Sequence, residues 1–262
     1  AAVSTHPGEG TRLAARAAAE GRDLVVAVGG DGTLNDVVNG LVGTATALAV
    51  IPAGTVNVFA RQLGLPFTLE GASRVIGGGR TVHIDLGRLN DRYFLSMAGI
   101  GFDAHVIHHV DSRIKRAWGA VAYAAVAAWR FFRYRFPRIF IRLEGETRLR
   151  RGYMVVVGNG KYYGGDLVLA PRASLTDGRL DVCILKRRRL WNFLGYLWGL
   201  RRGVLDRFLD VETFQCRRLE IPAGQRHAVH VDAEYLGRTP AVVEAVPGAL
   251  RVVVPEDWDQ RR

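Results

Sequence analysis

The stretch VVAVGGDGTLNDVVNGL, Val25 to Leu41, runs from an apolar, β-rich segment through Gly-Gly-Asp-Gly-Thr straight into a helical pattern. Glycines open backbone conformations closed to other residues, so the N–H groups of Gly29, Gly30, Gly32 and Thr33 can converge on something small and negative, such as a phosphate. Thr33 and Asp36 have the spacing of a capping box, which predicts a helix beginning just past the glycines with Thr33 as its cap. A helix start offers unpaired N–H groups and partial positive charge to phosphate oxygens. Asp31 would repel a bare phosphate, and its place in the loop points to a divalent cation between it and a nucleotide. The turn PAGTVN repeats the device: Pro52 stops a strand, Gly54 permits close approach, and Thr55 with Asn57 sets a hydroxyl and an amide at the next helix start. Either turn alone is compatible with an ordinary strand-to-helix connection; neighbouring turns of this kind argue for a nucleotide site.

The elements that must hold these turns follow from periodicity. GTRLAARAAAEG reads as a helix ended by Gly21, DLVVAVGG as a buried strand, LNDVVNGL as a helix, ALAVIPAG as a second buried strand, and TVNVFARQLGLP as a helix stopped by Gly64 and Pro66. That is the pattern of a Rossmann-like parallel α/β sheet with crossover helices, and both turns then open at the carboxyl ends of its strands, where ligands bind. After GGGRTVHIDLGRLN the pattern changes. RYFLSMAGIGF, RIFIRLEGE, RGYMVVVGNG, RLDVCILK, RRLEIP, HAVHVDAEY and LRVVVP are strand candidates separated by turns, predicting an antiparallel β domain. KRAWGAVAYAAVAAWRFF and LWNFLGYLWGLRRG interrupt it as helical inserts. The expected fold is thus α/β followed by β, with an α/β domain over residues 1–85 and a β-sandwich over 86–262 whose tail packs back on the first domain. The chain opens in mid-element at AAVSTHPGEG, so the sheet is expected to lack its first strand, and the open edge could recruit a strand from a second copy in a homodimer.

Thirty-six Lys and Arg against 25 Asp and Glu leave a net charge of +11 over 262 residues. Such a balance favours an anionic partner: nucleic acid, a phospholipid surface or a nucleotide. Mean hydropathy is +0.05, and no uninterrupted apolar run approaches the roughly 18 residues needed to cross a bilayer. Cys183 and Cys216 offer neither metal spacing nor a disulfide framework, and nothing resembles a signal peptide, which places the chain in a reducing cytoplasm. His105, His108 and His109 have helical metal-ligand spacing without an acidic fourth ligand, so a satisfied or solvated set is expected rather than zinc. No helix-turn-helix, zinc finger or RNA-binding signature appears, and no nucleic-acid partner is expected.

GGDGTLNDVVNGL, PAGTVNVFARQLGLP, HIDLGRLN, GIGFDA, GNGKYYGGDLVLAPRASLTDGRLDV, VHVDAEYLGRTP and PGALRVVVP occur in the order and spacing of the diacylglycerol kinase catalytic family, which the chain resembles over almost its whole length. The resemblance implies an ATP- and Mg2+-dependent kinase that phosphorylates a lipid hydroxyl, diacylglycerol first, with sphingosine, ceramide or another lipid alcohol as alternatives. It puts Gly29 through Thr33 and Thr55 on the ATP phosphates, with Asn35 close by and Thr5 near the nucleotide. Asp31 and Asp85 would join a magnesium–water network, and Glu234 would be the general base. Phosphoryl transfer does need such a carboxylate near the attacking oxygen. Glu234 follows Asp232 at strand spacing, so both could face a cleft. SLTDGRLD resembles the family's structural cation loop, in which the Asp177 carboxylate and the carbonyls of Ser174 and Arg179 hold a hard cation; a plain turn is the alternative.

The chain departs from the family in places. Gly-Thr-x-Asn-Asp-Phe ends here in Val58, removing a carboxylate from the metal network, and the glycine of Asp-Gly-Glu is Ala233, which costs roughly 1 kcal/mol or more if the backbone there is left-handed. A catalytically impaired lipid- or nucleotide-binding protein is therefore a competing reading. An NAD kinase shares the Gly-Gly-Asp-Gly-Thr turn, but the segment from YYGGDLVLAP to VDAEY argues against it. A kinase of bilayer lipids must also reach its substrate. LKRRRLWNFLGYLWGLRRG sets Trp191, Leu194, Tyr196, Leu197 and Trp198 between basic clusters, a composition suited to the surface of an anionic membrane, although an aromatic helical stripe is more often core. In IKRAWGAVAYAAVAAWRFFRYRF, Arg113, Lys115, Arg116, Arg130, Arg133 and Arg135 would form the wet side. The resulting expectation is a cytoplasmic, peripherally membrane-associated enzyme.

Overall fold

The computed structural model of the chain describes residues 1–6, 8–110 and 126–259. Its first elements follow the α/β alternation: α1 (Glu9–Ala19), β1 (Leu24–Gly29), α2 (Asp31–Leu41), β2 (Ala47–Pro52), α3 (Val58–Gln62) and α4 (Leu69–Gly78). α2 turns Leu34, Val37, Val38 and Leu41 inward at helical spacing, where they join Leu48 and Val50 of β2. Each such side chain contributes about 1.5–3 kcal/mol by leaving water. β1 and β2 pair in parallel from Leu24 opposite Ala47 to Gly29 opposite Pro52, so the turns that follow them leave the sheet side by side. The pattern reading misses α4, whose one signal is Thr68, the side-chain hydroxyl of which accepts the Gly71 N–H at 3.2 Å.

The chain continues through β3 (Arg80–Leu89), β4 (Arg92–Phe94), β5 (Met97–Gly101), α5 (Phe102–His109), β6 (Ile139–Leu143), β7 (Arg150–Gly152), β8 (Met154–Gly158), β9 (Tyr162–Gly164) and β10 (Leu167–Val168). It ends with β11 (Leu180–Leu185), α6 (Leu190–Arg202), β12 (Val211–Cys216), β13 (Arg218–Ile221), β14 (Ala228–Val231), β15 (Glu234–Arg238) and β16 (Ala241–Val254). Residues 126–131 are helical; the earlier part of that insert, with Arg113, Lys115 and Arg116, lies outside the described residues. β12 was not among the expected strands, and HAVHVDAEY, expected as one strand, is a hairpin that turns at Asp232 and Ala233.

A six-stranded antiparallel sheet has the order β12-β11-β8-β5-β14-β15. It packs on an eight-stranded sheet, β1-β2-β16-β13-β6-β7 with β3 and β4 branching from β16, through a core that includes Ile100, Ile141, Val155, Val182, Leu219 and Val243. Sequence alternation suggested separate sheets for the two halves. Instead β16 joins them: Val252 pairs in parallel with Leu48 of β2, while Arg218 to Ile221 of β13 pair with its other end. A register shift between Val246 and Leu250, around Pro247 and a left-handed Gly248, bends the strand between its two roles.

Candidate active site

The two turns meet through glycine. Gly30 and Gly54 pass so closely that a Cβ added to Gly54 would stand 2.4 Å from the Gly30 Cα. Gly30 is itself the cap of α2 and Asp31 its first helical residue, so the helix starts earlier than the capping-box reading placed it, and Thr33 lies within the first turn. Asp36 does not reach back to that turn; it accepts the Gly8 N–H and the Arg92 guanidinium, each at 2.9 Å. No side chain caps α2, and Gly32, Thr33 and Thr55 are exposed around its start. Uncovered first-turn N–H groups beside a second glycine turn make a seat for phosphate oxygens.

Asp31 ties the turns together, its Oδ1 accepting the Phe59 N–H of α3 at 3.2 Å. Asn57 shapes the second turn from within. It is buried and left-handed, with φ 52°, its Oδ1 accepts the Gly54 N–H at 2.9 Å, and its Nδ2 donates to the Gly54 carbonyl at 2.7 Å. Asn35, expected beside the phosphates, is buried and points its amide toward the other half of the molecule, donating to the Tyr93 carbonyl at 3.0 Å and to Asp232 at 2.9 Å. Thr5 closes the approach to α1: its N–H and hydroxyl donate to Glu9 at 2.7 and 3.0 Å.

Asp232 and Glu234 do not share a cleft. The Asp232 carboxylate turns inward and accepts the N–H groups of Leu95, Ser96 and Met97 at 2.8, 2.9 and 3.0 Å, as well as the Asn35 amide. Burial pushes its carboxyl up from the ordinary range against the pull of these donors. Asp232 and Ala233 stand at φ 43° and 62°, the positive values that a type I′ hairpin turn requires. That turn delivers Glu234, 44% exposed, to the first position of β15, where it accepts from Arg92 Nη2 at 2.9 Å. The same nitrogen donates to Asp36, which lies about 7.5 Å along the axis of α2 from Asp31 at 1.5 Å of rise per residue. Arg92 thereby couples the Glu234 carboxylate to α2. Sequence reasoning did not single it out, because its partners are 56 and 142 residues away in the chain.

The expected cation groups are not assembled. Each Asp85 oxygen accepts a backbone N–H, from Gly248 at 2.8 Å and Gly178 at 2.6 Å, so Asp85 clamps the bend of β16 to the 174–179 loop and shares no partner with Asp31. In that loop Asp177 accepts the Arg179 N–H at 3.0 Å, and the Thr176 N–H donates to Ser174 Oγ at 3.2 Å. The Gln215 amide donates to Asp177 at 3.2 Å and to Asp181 at 3.3 Å. Among the described residues, no three or more His, Cys, Asp or Glu side chains cluster as a metal site. His105 stacks on His109 and Tyr134 at 4.3 and 4.7 Å, and burial pushes it down to about 4. Cys183 and Cys216 are free thiols.

Residues 1–89 match the diacylglycerol kinase catalytic domain, and residues 96–254 match the YegS C-terminal NAD kinase beta sandwich-like domain. The chain belongs to the diacylglycerol kinase catalytic family. It is a lipid kinase, similar over 97% of its length to the diacylglycerol kinase of Bacillus subtilis, with 32% identity and 85% of that relative covered. A Pseudomonas aeruginosa protein named "Probable lipid kinase YegS-like" is 36% identical over 97% of the chain and 83% of its own length. The crystal structure of a "putative diacylglycerol kinase" from Bacillus anthracis superposes with a TM-score of 0.81 over 98% of this kinase and 84% of that chain, at 25% identity. No helix among the described residues of the kinase is long and apolar enough to cross a membrane.

Proposed function

We propose that the kinase transfers the γ-phosphate of ATP to the hydroxyl of a membrane lipid, with diacylglycerol as acceptor and phosphatidic acid as product. The observation that carries this reading is the link from α2 through Asp36 and Arg92 to Glu234, which ties a half-exposed carboxylate to the helix whose uncapped start adjoins the glycine turns. Residues 1–85 would hold the nucleotide and residues 86–262 the lipid. Gly29, Gly30, Gly32, Thr33 and Thr55 seat the phosphates. Glu234 takes the proton of the lipid hydroxyl as its oxygen bonds to the γ-phosphorus and the bond to the β-phosphate oxygen breaks, releasing ADP.

Magnesium uses one or two carboxylates together with substrate phosphates, and Asp31, whose Oδ2 accepts from no donor among the described residues, fits that role. Bound there, the ion would neutralise charge developing on the transferred group. Asp85 does not fit it, since both oxygens hold backbone N–H groups. The names of the relatives support diacylglycerol over sphingosine or ceramide, and a bilayer substrate puts the enzyme at the cytoplasmic membrane surface.

The test is transfer of labelled γ-phosphate from Mg-ATP to a panel of lipids in mixed anionic micelles. Labelled phosphatidic acid is expected, reduced by roughly 10²- to 10⁴-fold in Glu234→Gln. No product on any lipid, from folded protein that still binds ATP, would replace the enzyme with a binding protein. Val58, buried at the start of α3, favours that second reading; a gain of turnover in Val58→Asp would support it.

A further inference from the structure

We infer that the outer face of α6, with the adjoining residues 126–132, is the surface by which the kinase docks on an anionic phospholipid bilayer. The inference rests on the lipid-kinase reading for its purpose, but its observations are independent of the site. α6 buries Tyr196, Gly199 and Leu200 and leaves the other side bare: Trp191 is 79%, Leu194 50%, Leu197 52% and Trp198 55% exposed. Trp191, Leu194 and Trp198 follow one another at spacings of three and four, so they form one stripe. Phe193 packs on Phe131 at 5.1 Å, which brings the 126–132 segment alongside and adds Trp129 and Phe132, 53% and 76% exposed. Water-facing apolar groups of this density mark an interaction surface.

Charge selects the partner. Arg187 to Arg189 precede α6, Arg201 and Arg202 end it, Lys186 is paired with Glu212, and no Asp or Glu occurs in 186–202 or 126–143. Arg133 and Arg202 lie over the rings of Trp129 and Trp198 at 4.3 and 5.7 Å, so cations border the exposed indoles themselves. Indoles at headgroup depth, aliphatic side chains below them and arginines on lipid phosphates are what an anionic interface accepts. A second copy is the poorer occupant, because a two-fold contact would set this arginine rim against itself. The face also communicates with the acceptor side: Phe102 at the start of α5 packs on Phe193 at 5.5 Å, and His108 near its end lies 4.0 Å from Tyr235, the neighbour of Glu234.

The experiment is co-sedimentation of the full chain with vesicles of phosphatidylcholine alone or mixed with phosphatidylglycerol. Binding to the mixed vesicles only is expected. A triple variant, Trp191→Ala, Leu194→Ala and Trp198→Ala, should weaken it roughly tenfold or more, and Arg201→Gln with Arg202→Gln about tenfold, an effect erased by high salt. Transfer to a short-chain diacylglycerol, dispersed as monomers, should stay within about twofold of the parent in both variants, since neither touches the site. Variants that bind mixed vesicles like the parent, or a parent that binds none, would overturn the inference. So would a parent dimer that the triple variant converts to monomer, which would make a second copy the occupant. Absence of transfer to the soluble acceptor in the parent would count against the kinase reading and leave the vesicle result standing.

Discussion

Glu234 stands on a two-residue turn whose conformation is wrong for one of its residues. Ala233 at φ 62° carries a Cβ where the left-handed backbone costs roughly 1–2 kcal/mol, while Asp232 tolerates the same region and is held by the N–H groups of Leu95, Ser96 and Met97. Ala233→Gly relieves that strain and returns part of the gain as unfolded-chain entropy, so a net stabilisation of about 0.5–1 kcal/mol is expected, read as a higher denaturation midpoint. A lower midpoint would show that the turn is not strained. In the proposed mechanism Arg92 acts through Glu234 and is a positioning residue. Arg92→Met should lower kcat by roughly 10- to 100-fold with KM for ATP little changed, because misplacement of a general base is felt in the chemical step. Arg92→Lys should recover part of the loss, since an ammonium can still reach Glu234 and Asp36; an unchanged kcat in Arg92→Met would remove the coupling from the mechanism.

At the scale of elements, the turn 174–179 and β11 decide whether the loop takes a cation. Asp181 is largely buried beside Asp177, with the Gln215 amide between them, and burial pushes its carboxyl up to about 6. A carboxyl raised in the folded state favours the protonated form there, so its contribution to stability is present at low pH and is lost as pH rises through about 6. Stability should therefore increase from pH 7 to pH 5 through this group, and Asp181→Asn should raise Tm at pH 7.5 and flatten that slope. A variant less stable than its parent at pH 7.5, or a parent stabilised by millimolar Mg2+ through Asp177, would restore the cation loop. The glycine turns, the parallel β1–β2 pair and the antiparallel half were legible because each is written in local pattern: Gly29 to Thr33, Pro52 to Asn57, alternating strands. Arg92 was missed, and the hydrogen bonds of Asn35 and Asp85 were not foreseen, because their partners lie far off in sequence, which no local spacing encodes. The α6 stripe was ambiguous for a different reason, since Trp191 and Trp198 look alike on paper whether they face a core or water.

At the scale of the whole molecule, the α/β half and the antiparallel half share one sheet and one core and are not separate folding units. Leu250, Val252 and Val254, the last part of β16, lie in the same buried cluster as Leu34, Leu48, Val50 and Phe59, and Leu175 from the 174–179 loop joins them. Burying three aliphatic side chains is worth roughly 5–9 kcal/mol, comparable to the 5–15 kcal/mol of a whole domain. β2 without β16 would also present an unpaired edge, in addition to the one on β1, where Val26 and Val28 are 43% and 59% exposed. A fragment of residues 1–85 is therefore expected to lack cooperative unfolding and to aggregate, whereas the full chain should unfold with calorimetric and spectroscopic transitions that coincide. The same tie carries a mechanical consequence: Asp85 holds Gly178 and Gly248 at the bend of β16, and Asn159 donates to the Asp85 and Leu95 carbonyls, each at 2.9 Å. The glycine turns and Glu234 are thus fixed to one another through β3, β16 and their clamps. A cooperatively folded 1–85 fragment, or two separated transitions in the full chain, would show that the halves are joined more loosely than this sheet implies.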